Sequence, residues 1–117
     1  MAFDEVVREV VRRCPGARGA AIIDADGIPV VTVDDDGRLE ELAAEYSTVV
    51  REIQRAAREL DHGELAQVTV EADLLTIILT TIAAGYFLVV LLAADGFQGK
   101  ARFLSRLAGA RLHSEFI

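Results

Sequence analysis

Apolar side chains recur at helical spacing from Phe3 to Arg13, with Phe3, Val6, Val7, Val10 and Val11 sharing one face. Pro15-Gly16 stops that helix. Ala17 to Asp24 reads as a strand, Asp24-Ala25-Asp26-Gly27 as a tight turn, and Ile28 to Val33 as the return strand. Pro29 cannot donate a ladder hydrogen bond, which assigns the return strand to a sheet edge. The longest periodic stretch runs from about Arg38 to Leu60. Its apolar positions, from Leu39, Leu42 and Ala43 through Tyr46, Val49, Val50 and Ile53 to Ala56, Ala57 and Leu60, fall in an arc about 140° wide, as in a helix lying on a core. Asp34 or Asp36 would cap its start and Gly63 would stop it.

Three strands follow. Leu65 to Glu71 alternates Ala66, Val68 and Val70 with Gln67, Thr69 and Glu71, so one of its faces is only half buried. Leu74 to Ile82 and Phe87 to Ala94 are apolar on both faces, which requires a covering layer above and below the sheet. Asp95-Gly96 opens a last helix from about Phe97 to Leu112, with Phe97, Ala101, Leu104, Leu107 and Ala108 on one side. Short connections make consecutive strands antiparallel. The expected fold is α/β (α+β): a three-layer α/β/α sandwich around a five-stranded, mostly antiparallel sheet, in the order α-β-β-α-β-β-β-α.

The chain has 117 residues, 52% hydrophobic and 26% charged, enough for one domain (1–117) with its own core and too apolar for disorder. From Leu74 to Ala94 the 21 residues carry no charge, long enough for a membrane helix. The run is rich in Ile, Val and Thr, is broken at Gly85, and is flanked by Asp73 and Asp95, so two core strands are the better reading. The net charge of -7 disfavours a nucleic-acid partner. One cysteine excludes an internal disulfide, and no signal-peptide pattern opens the chain; the expectation is a reduced, cytoplasmic protein without membrane insertion.

Candidate chemistry is sparse. Gly96-Phe97-Gln98-Gly99-Lys100 has two residues where a phosphate loop has four, and Ala101 stands where Ser or Thr would hold magnesium. Asp95 as helix cap explains it better. Asp24, Asp26, Asp34, Asp35 and Asp36 lack the glutamate that closes a calcium loop and read as turn and cap residues. Cys14, His62 and His113 sit near helix ends without an active-site pattern. No catalytic, cofactor-binding or metal site is expected. Two features do stand out. Thr48, Arg51, Arg55 and Arg58 form a basic stripe opposite the long helix's apolar arc, either a solvated face that suits the helix dipole or a partner site, with Arg55 able to pair with Glu52 or Glu59. The Leu65–Glu71 strand, if it lies at a sheet edge, has no proline and should be completed by another chain, most simply its own copy.

The stretch Gly16-Ala17-Arg18-Gly19-Ala20-Ala21-Ile22-Ile23-Asp24-Ala25-Asp26-Gly27-Ile28-Pro29-Val30 resembles the opening hairpin of roadblock domains, a family that includes the dynein light chain roadblock and a bacterial gliding-motility polarity protein acting on a Ras-like GTPase. The long helix, the uncharged double strand and Asp95-Gly96 also fit, over about Val6 to Leu112. The resemblance implies a profilin-like sheet ordered 2-1-5-4-3 and homodimers made by the third strand and the central helix. It points to Val49, Ile53, Ala56, Leu65, Gln67, Val68, Thr69 and Glu71 as dimer contacts. It also implies a non-catalytic regulator or scaffold of a small Ras-like GTPase in bacterial signalling, with Thr48, Arg51, Arg55 and Arg58 as docking residues. The rival expectations are a nucleotide-independent adaptor for a motor, cytoskeletal or signalling complex, and a small-ligand sensor for which no convergent polar groups are apparent.

Overall fold

A computed structural model describes residues 3–34, 37–83 and 85–115. Its elements are α1 (Phe3–Arg13), β1 (Ala17–Asp24), β2 (Pro29–Asp34), α2 (Leu39–Glu59), β3 (Gln67–Glu71), β4 (Leu75–Ala83), β5 (Tyr86–Ala93) and α3 (Gln98–His113). Each expected element is present; α1 and β1 keep their expected bounds, and ends of the others move by one or two residues. Leu65 precedes β3, and Leu74, expected to open β4, stands in the preceding bend with 85% of its surface exposed.

The five strands form one sheet ordered β2-β1-β5-β4-β3, with every neighbouring pair antiparallel. Because β5 and β1 are central and β4 is flanked on both sides, their apolar runs face two separate cores. On one face α1 lies over β1 and β2 and α3 over β4 and β5, enclosing Val7, Val10, Ile22, Ile78, Leu88, Val90 and Leu112. On the other face α2 covers Ala21, Ile23, Ile77, Leu79, Phe87, Val89 and Leu91. Ala101, Ser105, Ala108 and Gly109 are buried on α3, and their small size lets the helix approach β4, where a Cβ at Gly109 would stand 3.3 Å from Thr80 Cγ2.

The β1–β2 hairpin is fixed by its turn chemistry. Asp24 Oδ1 accepts from the backbone N–H of Asp26 at 2.9 Å and of Ile28 at 3.0 Å, while Gly27 donates to the Asp24 carbonyl at 3.0 Å with φ +79°. Gly27 also lies against α2, since a Cβ there would come within 2.5 Å of Ser47 Oγ. The uncharged stretch from Leu74 to Ala94 is a strand pair turning at Gly85, whose φ is +82°. Among the described residues no helix is long and apolar enough to cross a membrane.

The helix ends differ from expectation at the start of α3 and at the end of α2. The N-cap of α3 is Phe97, without a side-chain cap bond, so Asp95 does not cap it; the Gly96 N–H bonds the Ala93 carbonyl and the chain turns one residue too early for that aspartate to reach the helix. The N-cap of α2 is Arg38, where no side-chain cap bond is formed; Asp36 and the Asp34 side chain lie outside the described residues. Nor does Gly63 stop α2. His62 N–H bonds the Ala57 carbonyl at 2.8 Å and Asp61 N–H the Arg58 carbonyl at 3.2 Å, a Schellman motif in which Asp61 takes the left-handed conformation at φ +60°. Aspartate tolerates that conformation better than most residues.

Candidate functional site: an open strand edge beside the central helix

β3 is the outer strand on its side of the sheet. The Thr81 N–H donates to the Ala66 carbonyl at 3.0 Å and the Ala72 N–H to the Leu75 carbonyl at 3.0 Å. Hydrogen-bonded and non-bonded pairs alternate along an antiparallel ladder. In the register Val68↔Leu79 and Val70↔Ile77, the backbone groups of Val68 and Val70 therefore turn inward to β4. Those of Gln67, Thr69 and Glu71 turn outward, to the open edge. Side chains alternate the other way. Val68 and Val70 pack into the α2-side core with Leu65, whereas Gln67 points to the α3 side, where its Nε2 donates to Thr80 Oγ1 at 3.0 Å and to the Arg102 carbonyl at 3.1 Å. Gln67 thus anchors the edge strand to the body, leaving Thr69 and Glu71 exposed.

The central helix carries more apolar surface than the sheet covers. Leu39, Ala43, Ser47 and Val50 are buried, and Leu42, Tyr46, Ile53 and Ala57 are half buried. Val49 and Leu60 are 49% and 65% exposed, and Ala56 is exposed too. From Arg51 onward no residue of α2 is fully buried. The wide arc seen in the sequence therefore splits: its N-terminal half seals the core, and its C-terminal half overhangs. Val49, Ile53 and Ala56, expected dimer contacts, stand on that overhang; Leu60 continues it, a position already in the apolar arc.

Thr48, Arg51, Arg55 and Arg58 are all exposed. Arg55 donates to Glu52 Oε2 at 2.8 Å and Glu59 Oε1 at 3.0 Å, as the spacing had suggested. Arg58 donates to Glu64 Oε2 at 2.8 Å, tying the helix end to the segment before β3. That bond holds the Glu64 carboxyl below its usual range and the Arg58 guanidinium above its own. Arg51 has no hydrogen bond or ion pair among the described residues. The basic stripe is thus two self-neutralised arginines and one presented cation.

The remaining candidates take structural roles. Cys14 is buried at 2% exposure, and burial pushes its thiol up, away from a nucleophile. His113 Nδ1 lies 2.6 Å from the Ile82 carbonyl, pinning the end of α3 to β4. Asp24 is the acceptor of the β1–β2 turn.

A sheet of this order with one long helix on one face and two helices on the other is a profilin-type sandwich. Acanthamoeba castellanii profilin II superposes with a TM-score of 0.66 at 16% identity, over 99% of this chain and 100% of that one. A family model described as the Roadblock/LC7 domain matches residues 3–92, and the chain belongs to that family. Similar solved structures include the Roadblock/LC7 domain from Streptomyces avermitilis, at 21% identity and TM-score 0.86 over 97% of this chain and 96% of that one. The gliding protein MglB from Thermus thermophilus gives 20% identity and TM-score 0.85 over 96% and 86%. MglC from Myxococcus xanthus gives 28% identity and TM-score 0.71 over 98% and 99%. No curated protein matches the chain significantly.

Proposed function

We propose that this roadblock domain is a non-catalytic homodimer that regulates or scaffolds a small Ras-like GTPase. The observation that carries the dimer is the coincidence of two incomplete surfaces. Outward backbone groups at Gln67, Thr69 and Glu71 need a strand, and the overhang at Val49, Ile53, Ala56 and Leu60 needs an apolar cover. A two-fold pairing of β3 with its copy supplies both at once, joining the two sheets and bringing the two α2 helices side by side. Leu65 and Val68 lie beside that seam.

The GTPase assignment rests on the family. It is supported by the likeness to gliding proteins of the MglB and MglC kind and by the lack of converging catalytic groups among the described residues. Paired α2 helices would present Thr48, Arg51, Arg55 and Arg58 twice on one platform. With Arg55 and Arg58 held by their own glutamates, Arg51 is the cation most available to an acidic partner surface. Sedimentation equilibrium tests the dimer: a mass near twice 12.7 kDa at micromolar concentration is expected, and a monomer refutes it. Single-turnover GTP hydrolysis and pull-downs with Ras-like GTPases of the same organism test the partner. Binding that prefers GTP or GDP supports regulation. Binding indifferent to nucleotide replaces it with the adaptor role, and no binding at all removes the GTPase.

A further inference from the structure

On the face of the sheet opposite α2, the outer surface of α3 is built unlike the rest of the molecule. Its 16 residues hold Lys100, Arg102, Arg106 and Arg111 and no acid, in a chain of net charge -7. Two of its large apolar side chains face outward: Phe103 is 57% exposed and Leu107 46%. One helical turn apart, they form a ridge along the helix. At 3.6 residues per turn, Lys100 falls to one side of that ridge, and Arg102 and Arg106 fall to the other. Neighbouring elements fix the two sides. Leu107 borders α1 at a groove it shares with Val6 and Val10, whereas Arg106 borders the Leu65–Ala66 segment that leads to β3. The apolar ridge is therefore flanked by cations on both sides.

These cations are available. Lys100 and Arg106 are exposed and have no ion pair among the described residues, and the Arg102 guanidinium donates to the neutral Gln98 Oε1 at 3.3 Å. Arg111 is set aside, because it donates to Glu9 at 3.0 Å. Glu64, beside Arg106, is held by Arg58 at 2.8 Å. Asp95, ahead of the helix, and Glu71, on β3, are exposed and pair with none of the three among the described residues. β1 separates the strands under α3 from β2, the strand that ends in Asp34. The five glutamates of α2 lie across the sheet, two layers away, and salt screens exposed charges over roughly 8–10 Å.

An exposed apolar ridge calls for a partner, and its charge selects which. A second α3 is disfavoured, since a two-fold contact would set like charges against one another. Apolar side chains with cations along both flanks are the layout of a helix lying in a membrane interface. There the aromatic and aliphatic groups reach the acyl boundary while Lys and Arg meet the head groups. A convex ridge also suits a flat, deformable surface better than a cleft. We propose that α3 docks the protein on an anionic lipid bilayer, with Phe103 and Leu107 embedded at the interface and Lys100, Arg102 and Arg106 against the lipid phosphates. This is adsorption and not crossing, as among the described residues no helix is long and apolar enough to span a membrane. It rests on neither the dimer nor the GTPase reading.

Co-sedimentation with vesicles of mixed phosphatidylcholine and phosphatidylglycerol tests this, with pure phosphatidylcholine as the control. The parent should bind the mixed vesicles roughly tenfold or more tightly than the control, and should weaken as salt rises. Lys100→Glu combined with Arg106→Glu should weaken binding roughly tenfold or more. Phe103→Ser combined with Leu107→Ser should weaken it several-fold at unchanged charge. Thermal unfolding checks that both pairs still fold. Phe103→Trp, in a chain without tryptophan, adds a reporter whose emission should shift to the blue on mixed vesicles. No binding to mixed vesicles, equal binding to pure phosphatidylcholine, undiminished binding in either folded pair, or an unshifted emission from Phe103→Trp would each overturn the proposal. Absent vesicle binding alongside capture of a Glu- and Leu-rich helical peptide would give the face to an acidic protein instead.

Discussion

Thr69→Pro probes the open edge most directly, because proline deletes one backbone donor and places a ring carbon where the N–H pointed. In the antiparallel register of β3, the Thr69 donor faces away from β4. The subunit therefore loses no internal bond. A two-fold dimer loses two, one from each protomer, and leaves two carbonyls opposite them without a donor. Each orphaned acceptor costs about 1–3 kcal/mol when buried. Water reaches an edge strand in part, so about 2–4 kcal/mol is expected for the pair. At about 1.4 kcal/mol per tenfold, the dimer Kd rises roughly 30-fold to 1,000-fold. Val70→Pro is the control: its N–H turns inward toward Ile77, so it should lower the melting temperature of the subunit itself. Sedimentation equilibrium on both variants, with thermal unfolding in parallel, separates the two effects. A Thr69→Pro dimer with the parent's Kd would show that the edge is not the seam. Unfolding as severe as that of Val70→Pro would show that the outward assignment is wrong.

Gly27→Ala should destabilise by about 2–4 kcal/mol in chemical denaturation, since its φ is +79° and the new Cβ meets Ser47 Oγ at 2.5 Å and the Ala43 carbonyl at 2.9 Å; Gly63→Ala, at φ +87° with open space around it, should cost only the backbone strain of about 1 kcal/mol. Arg51→Glu should weaken GTPase capture at least tenfold at low salt without altering the dimer mass, whereas Arg55→Gln, already engaged by Glu52 and Glu59, should change capture little. Cys14 should resist a thiol reagent at pH 8 in the native protein and react on unfolding; because its folded pKa is raised, its contribution favours the fold at neutral pH and is lost as pH climbs past the ordinary thiol range. For Glu64 the sign is opposite: its folded pKa is lowered, so the Arg58 pair stabilises above the ordinary carboxylate range and fades as pH falls through the lowered value, and the melting-temperature gap between parent and Glu64→Gln should close at acid pH.

How much of this was legible in the sequence follows from the range of each interaction. Hydrophobic periodicity is a local property, so α1, α2, α3 and all five strands could be read from residues a few positions apart, and the hairpin turn at Asp24–Gly27 could be read from its own side chains. The pairing of Arg55 with Glu52 and Glu59 is also local, one turn of helix in each direction. Helix caps proved less legible, as Asp95 and Gly63 show, because a cap depends on one residue's backbone angles and several residue types can satisfy it.

What the chain alone determined was the set of elements, their amphipathic faces and, through the opening hairpin's resemblance, the family. Strand order depends on contacts between residues far apart; periodicity could not supply it, the family resemblance implied 2-1-5-4-3, and the sheet has that order, but only the folded sheet decided that Thr69 is turned outward and that the C-terminal half of α2 is left uncovered. The β-bulge between Ala17 and Gly19 of β1 belongs to the same category. One extra residue in β1 shifts its pairing with β5, a register event that no periodicity records.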